Sequence, residues 1–191
     1  VKTSRFPKSK RPKTDISHSA MAVNLDACIH CNLCVRACRE VQVNDVIGMA
    51  SRGADSKIVF DFDDPMGQSS CVACGECVQI CPTGALMPKT IVDDKGRGGR
   101  VADREVNSVC PYCGVGCQIT YKIRNNKKTG RDEIAWVEGA GGKSNENRLC
   151  VKGRFGFDYV TSPERLTKPL IRIPGKPKGM NMDPSKPLEN F

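Results

Sequence analysis

The sequence is short of the residues that usually fill a core. Of 191 residues, 5% are aromatic (one Trp, three Tyr, six Phe) and 39% are hydrophobic. A large aliphatic core is excluded as the main source of stability, so a covalent or metallic staple is expected. No apolar run approaches the roughly 18 residues that suggest a membrane span, and none of the sequence reads as transmembrane. No signal peptide or twin-arginine leader is visible, which makes the cytoplasm the expected compartment. The chain lacks an initiator Met, starting at Val1, and stops at Phe191 after PGKPKGMNMDPSKPLEN. It reads as a piece of a longer polypeptide.

Cysteine is what the chain has in excess, at 12 residues. An even count permits disulfides, but disulfide frameworks favour short secreted domains with scattered spacings. Here eleven cysteines sit in Cys-x2-Cys or Cys-x3-Cys steps, which is metal-ligand spacing. The formal charge of +9, from 30 Lys and Arg against 21 Asp and Glu, would suggest an acidic or nucleic-acid partner. Twelve thiolates around three oxidised cubane cores would bring that balance to about +3. With no aromatic-interleaved basic stripe, nucleic acid is not an expected partner.

Two blocks share one pattern. CIHCNLCVRAC places Cys28, Cys31, Cys34 and Cys38, and CVACGECVQICP places Cys71, Cys74, Cys77 and Cys81 before Pro82. Both follow the Cys-x2-Cys-x2-Cys-x3-Cys spacing of two-cluster bacterial ferredoxins, in which the fourth cysteine ligates the other cluster. The expected sets are therefore Cys28, Cys31, Cys34 and Cys81 for one [4Fe-4S] cluster, and Cys71, Cys74, Cys77 and Cys38 for the other. The fourth cysteine is expected on a helix that is starting. Zinc draws its ligands in pairs from separated knuckles and fits these blocks poorly. Gly75 is expected to let backbone approach a cube. His30 lies between ligands but has no vacancy to fill. Arg39 replaces the usual proline after the fourth cysteine, as a charge near the second cluster or as a surface arginine. Asp61, Asp63 and Asp64 read as a solvated turn, not an EF-hand.

CPYCGVGC holds Cys110, Cys113 and Cys117, and the remaining cysteine is Cys150, with 32 residues between it and Cys117. Four thiols again point to [4Fe-4S], with Gly114 and Gly116 folding the backbone tightly. Taken alone, this pattern also suits structural zinc. QITYKI (118–123) and EIAWVEG (133–139) predict a β-hairpin.

CPYCGVGC, LCVKGRFG (149–156) and SPERLTKPLIR (162–172) together resemble the N-terminal part of molybdenum or tungsten bis-pterin oxidoreductases. The likeness extends over about residues 5–173 and is greatest to the catalytic α subunit of soluble NAD-dependent formate dehydrogenases. The resemblance implies an α+β chain: a two-cluster ferredoxin-like domain, then a small β-rich [4Fe-4S] subdomain opening a molybdopterin oxidoreductase domain. The expected divisions are a basic arm at 1–20, the ferredoxin-like domain at 21–92, a linker at 93–107, the third-cluster subdomain at 108–160 and a truncated pterin-binding start at 161–191.

The resemblance further implies a Mo or W bis-pterin guanine dinucleotide in the complete subunit, with Lys152 between it and the third cluster. The implied partners are the rest of the catalytic subunit and flavin/iron–sulfur NAD-reducing subunits. No catalytic residue lies in this chain, because the family's metal-ligating cysteine or selenocysteine, His and Arg lie further along. The implied activity is reversible formate oxidation to CO2, with these residues as its electron relay. The alternatives are a free polyferredoxin, another molybdopterin oxidoreductase such as a nitrate reductase, or a complex I large iron–sulfur subunit. The last keeps the third motif and is expected to lack the ferredoxin repeat. A purified holo chain should contain about twelve iron atoms; about eight with one zinc would overturn the three-cluster count.

Overall fold

A computed structural model describes residues 12–99, 101–127 and 129–176. The sequence repeat is a structural repeat. Each cysteine block ends in a helix of one turn: α1 (Leu33–Arg36), which widens into a looser turn over Ala37–Val41, and α2 (Glu76–Ile80). Short strands flank them. β1 (Met21–Val23) pairs antiparallel with β4 (Leu86–Pro88), and β2 (Ile47–Ala50) with β3 (Lys57–Phe60). The first pair joins the two ends of this region and the second fills its middle, so α1 and α2 pack against each other.

The core between them is small and sulfur-rich. Cys34, Cys38, Cys77 and Cys81 are buried with Met21, Val23, Val35, Val46, Ile47, Ile58, Phe60, Met66, Val78 and Leu86. This accounts for the low aliphatic content: part of the interior is assigned to thiols.

The third cysteine motif belongs to a three-stranded antiparallel sheet of β5 (Arg104–Val109), β6 (Gln118–Asn126) and β7 (Arg131–Gly139). The expected hairpin is β6–β7, with longer strands than the sequence suggested and a bulge at Lys122/Ile123. Ile119, Val137 and Leu149 close a core around Cys110. A further helix, α3 (Val151–Phe155), starts directly after Cys150. Met87 and Ile91, at the end of the ferredoxin-like region, pack with Ala135 and Trp136 of β7.

Several expected boundaries change. The linker assigned to 93–107 contains most of β5. That strand was hidden because nearly all of it is exposed, so it carries no apolar alternation. Residues 1–20 are not all a free arm. Residues 1–11 lie outside the described part, but Asp15 bridges Val23, and Lys89 Nζ donates to the carbonyls of Ile16 and His18 at 2.9 and 3.0 Å. The repeat and the sheet together belong to one compact unit that ends at Asp158, and residues 159–176 belong to another. In the latter, Arg165 stacks over the Tyr159 ring at 5.3 Å, and Leu170–Ile173 forms no strand. The rest of the expected pterin-binding start, 177–191, lies outside the described residues. No helix among the described residues is long and apolar enough to cross a membrane.

The Asp15 carboxylate secures the N-terminal segment by accepting from the Met66 N–H at 2.7 Å and the Ser17 N–H at 2.8 Å. Burial pushes this carboxyl up, but Ser17, Met66 and His18 outweigh it and hold the value below the ordinary 3.8. A depressed folded value stabilises fully above the unfolded value and loses that contribution as pH falls through the folded one. Asp15→Ala should therefore cost about 1 kcal/mol at neutral pH. In denaturant titrations, the difference from the native chain should shrink below about pH 4.

Candidate iron–sulfur sites

The two CxxC loops reach the same backbone path by the same means. Residues two beyond the first cysteine, His30 and Ala73, take left-handed conformations at φ 55° and 56°. This turns their N–H groups back onto Cys28 Sγ and Cys71 Sγ, both at 3.4 Å. Asn32 and Gly75 repeat the left-handed turn at φ 61° and 70° and start the helices that carry Cys34 and Cys77. His30 thus contributes a backbone N–H, and its ring does not line the cavity. The fourth cysteines differ from expectation. Cys38 lies in the widened turn after α1, and Cys81 is the extended residue that ends α2. Neither cysteine starts a helix: the first block's helical path runs on past Cys38 to Val41, and the second block's ends at Cys81.

The helix ends carry the crossing. One cavity is lined by Cys28, Cys31, Cys34 and Cys81, with Leu25, Ile58 and Leu86 as its apolar wall. A second is lined by Cys38, Cys71, Cys74 and Cys77, with Val46 and Ile47. The Val46 N–H donates to Cys38 Sγ at 3.3 Å, and Asn44 Nδ2 to Cys74 Sγ at 3.9 Å. Burial, then the neighbouring Cys28, Cys81 and Cys31, pushes the Cys34 thiol up to about 11. Burial also pushes Cys77 well above its ordinary range, with Cys74, Cys71, Cys34 and Cys38 adding to it. Cys81 is the counterexample. Burial raises it, but N–H groups of Leu86, Thr83 and Ala85 and the Thr83 hydroxyl win, and its value falls.

These shifts describe crowded thiols with no cation among them. Thiolates ligate metals, so cluster insertion must release protons here, and a positive core offsets the repulsion. Among the described residues, no three His, Cys, Asp or Glu side chains converge on a point that would suit one bare ion. Four thiols around a space, with N–H groups aimed at sulfur, suit an iron–sulfide core better than a zinc ion with all four sulfurs at about 2.3 Å.

At the third site, Cys110 is buried, Cys117 half-buried, and Cys113 and Cys150 exposed. The Cys110 N–H donates to the Cys117 carbonyl at 2.8 Å, closing the loop at the foot of β5 and β6. Burial, then Cys110, Cys113 and Cys150, raises the Cys117 thiol, so the distant Cys150 lies within charge range of Cys117. Asn145, which sequence reasoning passed over, brings it there. Its Oδ1 accepts from the Gln118 N–H at 2.9 Å, and its Nδ2 donates to the carbonyls of Gln118 and Arg148 at 3.1 and 3.0 Å. One buried amide thus fastens the segment before Cys150 to the residue after Cys117. Gly116 needs its left-handed φ of 65°, whereas Gly114 has no such demand.

Lys152 is exposed on α3, with its ammonium 5.9 Å from the centre of the Tyr112 ring. Tyr112 in turn donates its hydroxyl to the Gly156 carbonyl. Arg39 is a surface residue whose charge is met by Asp45 at 2.6 Å. Asp61 accepts from the Ser70 N–H and hydroxyl, and Asp63 pairs with Lys57 at 2.5 Å.

Gly75 lines the second cavity and has a further role. A Cβ there would stand 2.7 Å from Arg154 Cδ and 2.8 Å from Phe155 Cζ. Its bareness, beyond its φ, also admits α3.

Comparison with known proteins agrees with this division. Residues 27–85 match the 4Fe-4S dicluster domain family and residues 103–162 the Fe4S4 domain of molybdopterin oxidoreductases. An NADH-quinone oxidoreductase component of Rhizobium meliloti (strain 1021) is 37% identical over 172 residues, 90% of this chain and 19% of that protein. The "Probable oxidoreductase YjgC" of Bacillus subtilis (strain 168) is 32% identical, covering 83% of this chain and 19% of that one. The "Putative formate dehydrogenase SH0748" of Staphylococcus haemolyticus (strain JCSC1435) is 29% identical, covering 79% and 18%. The chain spans about a fifth of the length of these curated relatives. The first of them aligns over 90% of the chain, so the dicluster repeat does not set this chain apart from that NADH-quinone oxidoreductase component.

Cys117→Ala should remove one of three cluster signals and leave two, because the third group shares no cysteine with the crossed pair. Low-temperature EPR of the reduced holo chain tests this. Loss of all three signals from soluble protein would refute independent sites.

Proposed function

From a chain that joins a 4Fe-4S dicluster domain to a molybdopterin oxidoreductase Fe4S4 domain, we propose the electron relay of a formate dehydrogenase catalytic subunit. It would work between a Mo or W bis-pterin centre and NAD-reducing flavin/iron–sulfur subunits. The observation that carries this reading is the pair of crossed cavities, each lined by four cysteines, in one compact unit with the loop that holds Cys110 and Cys117. Cys28, Cys31, Cys34 and Cys81 would hold one cluster, Cys38, Cys71, Cys74 and Cys77 a second, and Cys110, Cys113, Cys117 and Cys150 a third. When bound, such clusters supply one-electron stations at potentials tuned by burial and hydrogen bonds to sulfur.

The chain's residues do the rest. N–H groups of His30, Val46 and Ala73 donate to Cys28, Cys38 and Cys71 and stabilise negative charge on those sulfurs. Leu25, Ile58 and Leu86 give one of the crossed sites an apolar wall, and Val46 and Ile47 the other. Lys152 offers an exposed cation beside the third site, held by a cation–π contact of only about 0.5–1 kcal/mol. Such a contact yields readily to an anionic cofactor, which is the role proposed for this lysine. The formate assignment draws on the name of the staphylococcal relative, and the cytoplasmic setting belongs to the same proposal. A second reading, a component of an NADH-quinone oxidoreductase, is favoured by the Rhizobium meliloti relative.

The intact complex decides between them. Formate-dependent NADH formation, with Mo or W in the metal analysis, supports the first reading. NADH oxidation by quinone without formate activity supports the second. Lys152→Ala should keep all the iron yet slow formate turnover roughly tenfold, equivalent to about 1.4 kcal/mol of barrier. Unchanged turnover would reduce Lys152 to a surface lysine.

A further inference from the structure

Arg154 and Glu76 form an ion pair at 3.1 Å whose side chains are 2% and 9% exposed. Neither belongs to a cysteine set, and each comes from a different one of the two matched domains. Burying such a pair is costly unless the remaining donors are satisfied. They are: Arg154 Nε donates to the Cys74 carbonyl at 3.0 Å, and a terminal nitrogen donates to Gln79 Oε1 at 2.5 Å. Gln79 Oε1 also accepts from the Gly139 N–H at 2.8 Å, while its Nε2 donates to the Asn147 carbonyl at 3.3 Å. The Arg154 N–H, on the other side, donates to the Cys150 carbonyl at 3.1 Å.

We propose that Arg154 is the positioning residue that couples the Cys38/Cys71/Cys74/Cys77 site to the Cys110/Cys113/Cys117/Cys150 site. The inference rests on the ligand assignment proposed above. One residue is hydrogen-bonded to the carbonyl of a cysteine in each set, so a continuous bonded route runs from Cys150 through Arg154 to Cys74. The same guanidinium places a fixed charge beside one ferredoxin-like site and not its twin. The repeat supplies the internal control. At the positions of Gly75, Glu76 and Gln79, the first block has Asn32, Leu33 and Arg36. Arg36 there is an exposed residue paired with Glu40 on its own helix. Only the second block is cut to receive α3, so the third site exchanges electrons with the second-block site.

The test is EPR-monitored redox titration of the full holoprotein. Glu76→Gln leaves the buried guanidinium uncompensated. The Cys38/Cys71/Cys74/Cys77 cluster should become easier to reduce by roughly tenfold, about 59 mV for one electron, with the Cys28/Cys31/Cys34/Cys81 cluster unmoved. A purely structural contact would not select one potential. The paired variant Arg154→Met with Glu76→Leu leaves no stranded charge, and it decides if the single variant loses a cluster. It should retain three clusters while freeze-quench EPR shows about tenfold slower transfer between the second-block and third clusters, a barrier rise of about 1.4 kcal/mol. An unmoved or uniformly moved set of potentials with three clusters present, or unchanged transfer in the paired variant, overturns this inference alone. Fewer than three clusters in the native protein overturns the ligand assignment and this inference with it.

Discussion

Eight thiols must surround two adjacent spaces, and each space must draw three of its sulfurs from one loop and the fourth from the other. That crossing is the constraint on which the ferredoxin-like repeat depends. It fixes α1 against α2, because Cys38 and Cys81 leave the ends of those helices toward opposite cavities. It explains why the strands are only three or four residues long. They need only hold the ends and middle of a core whose centre is sulfur. Without a positive core between them the thiols are crowded and desolvated, as the raised values at Cys34 and Cys77 record. Folding and cofactor loading should therefore be strongly linked in this region.

The attachment of the third site is of a different kind. A small apolar contact, Met87 and Ile91 against Ala135 and Trp136, supplies part of it. Phe155 against the core of the repeat adds to it, and the polar, directional part is Arg154 to Cys74, Glu76 and Gln79, and Gln79 to Gly139 and Asn147. Polar clamps of this sort contribute modestly to net stability, since desolvation offsets much of their attraction. Their geometry is narrow, however. A side chain that meets a backbone carbonyl and two other side chains at once tolerates little sliding, so it sets spacing where an apolar patch would not. Spacing is what an electron relay requires of its scaffold.

How much of this was legible beforehand follows from locality. The cysteine sets could be read because ligands within a loop are close in sequence, and the crossing comes with the spacing pattern. The β6–β7 hairpin announced itself through apolar strands around a polar turn. β5 did not, because an edge strand exposed on nearly all of its length has no alternation to read. Asn145, Gln79 and Arg154 were invisible for another reason. Each acts on backbone or side chains 27 to 80 residues away, and no periodicity marks a long-range polar contact. A signal did exist for the clamp. The two blocks differ at Asn32/Gly75, Leu33/Glu76 and Arg36/Gln79, the positions that face α3 in one copy and solvent or core in the other. Comparing the repeats for their differences, rather than their shared cysteines, points to the docking face.

The short helix that follows Cys150 then takes on two tasks. Residues two apart on a helix face nearly opposite ways, and α3 carries Lys152 and Arg154 at that separation. Lys152 is therefore turned outward to solvent and Arg154 inward to the second block. Gly153 lies between them, where a Cβ would stand 3.6 Å from Cys110 Sγ and 3.4 Å from Leu149 Cδ2. Those are ordinary contacts that alanine would fill, so a side chain extending beyond Cβ would push the helix off the third site and move both cations at once. The sequence KGR thus places one charge on each side of a single cysteine group, with the smallest residue against the sulfur. An outward cation could meet the proposed anionic cofactor of the complete subunit only while the inward one keeps the helix seated. The two ends of the proposed relay are for that reason mechanically tied: loosening Arg154 should disturb Lys152, whereas removing the Lys152 ammonium leaves the Arg154 clamp intact.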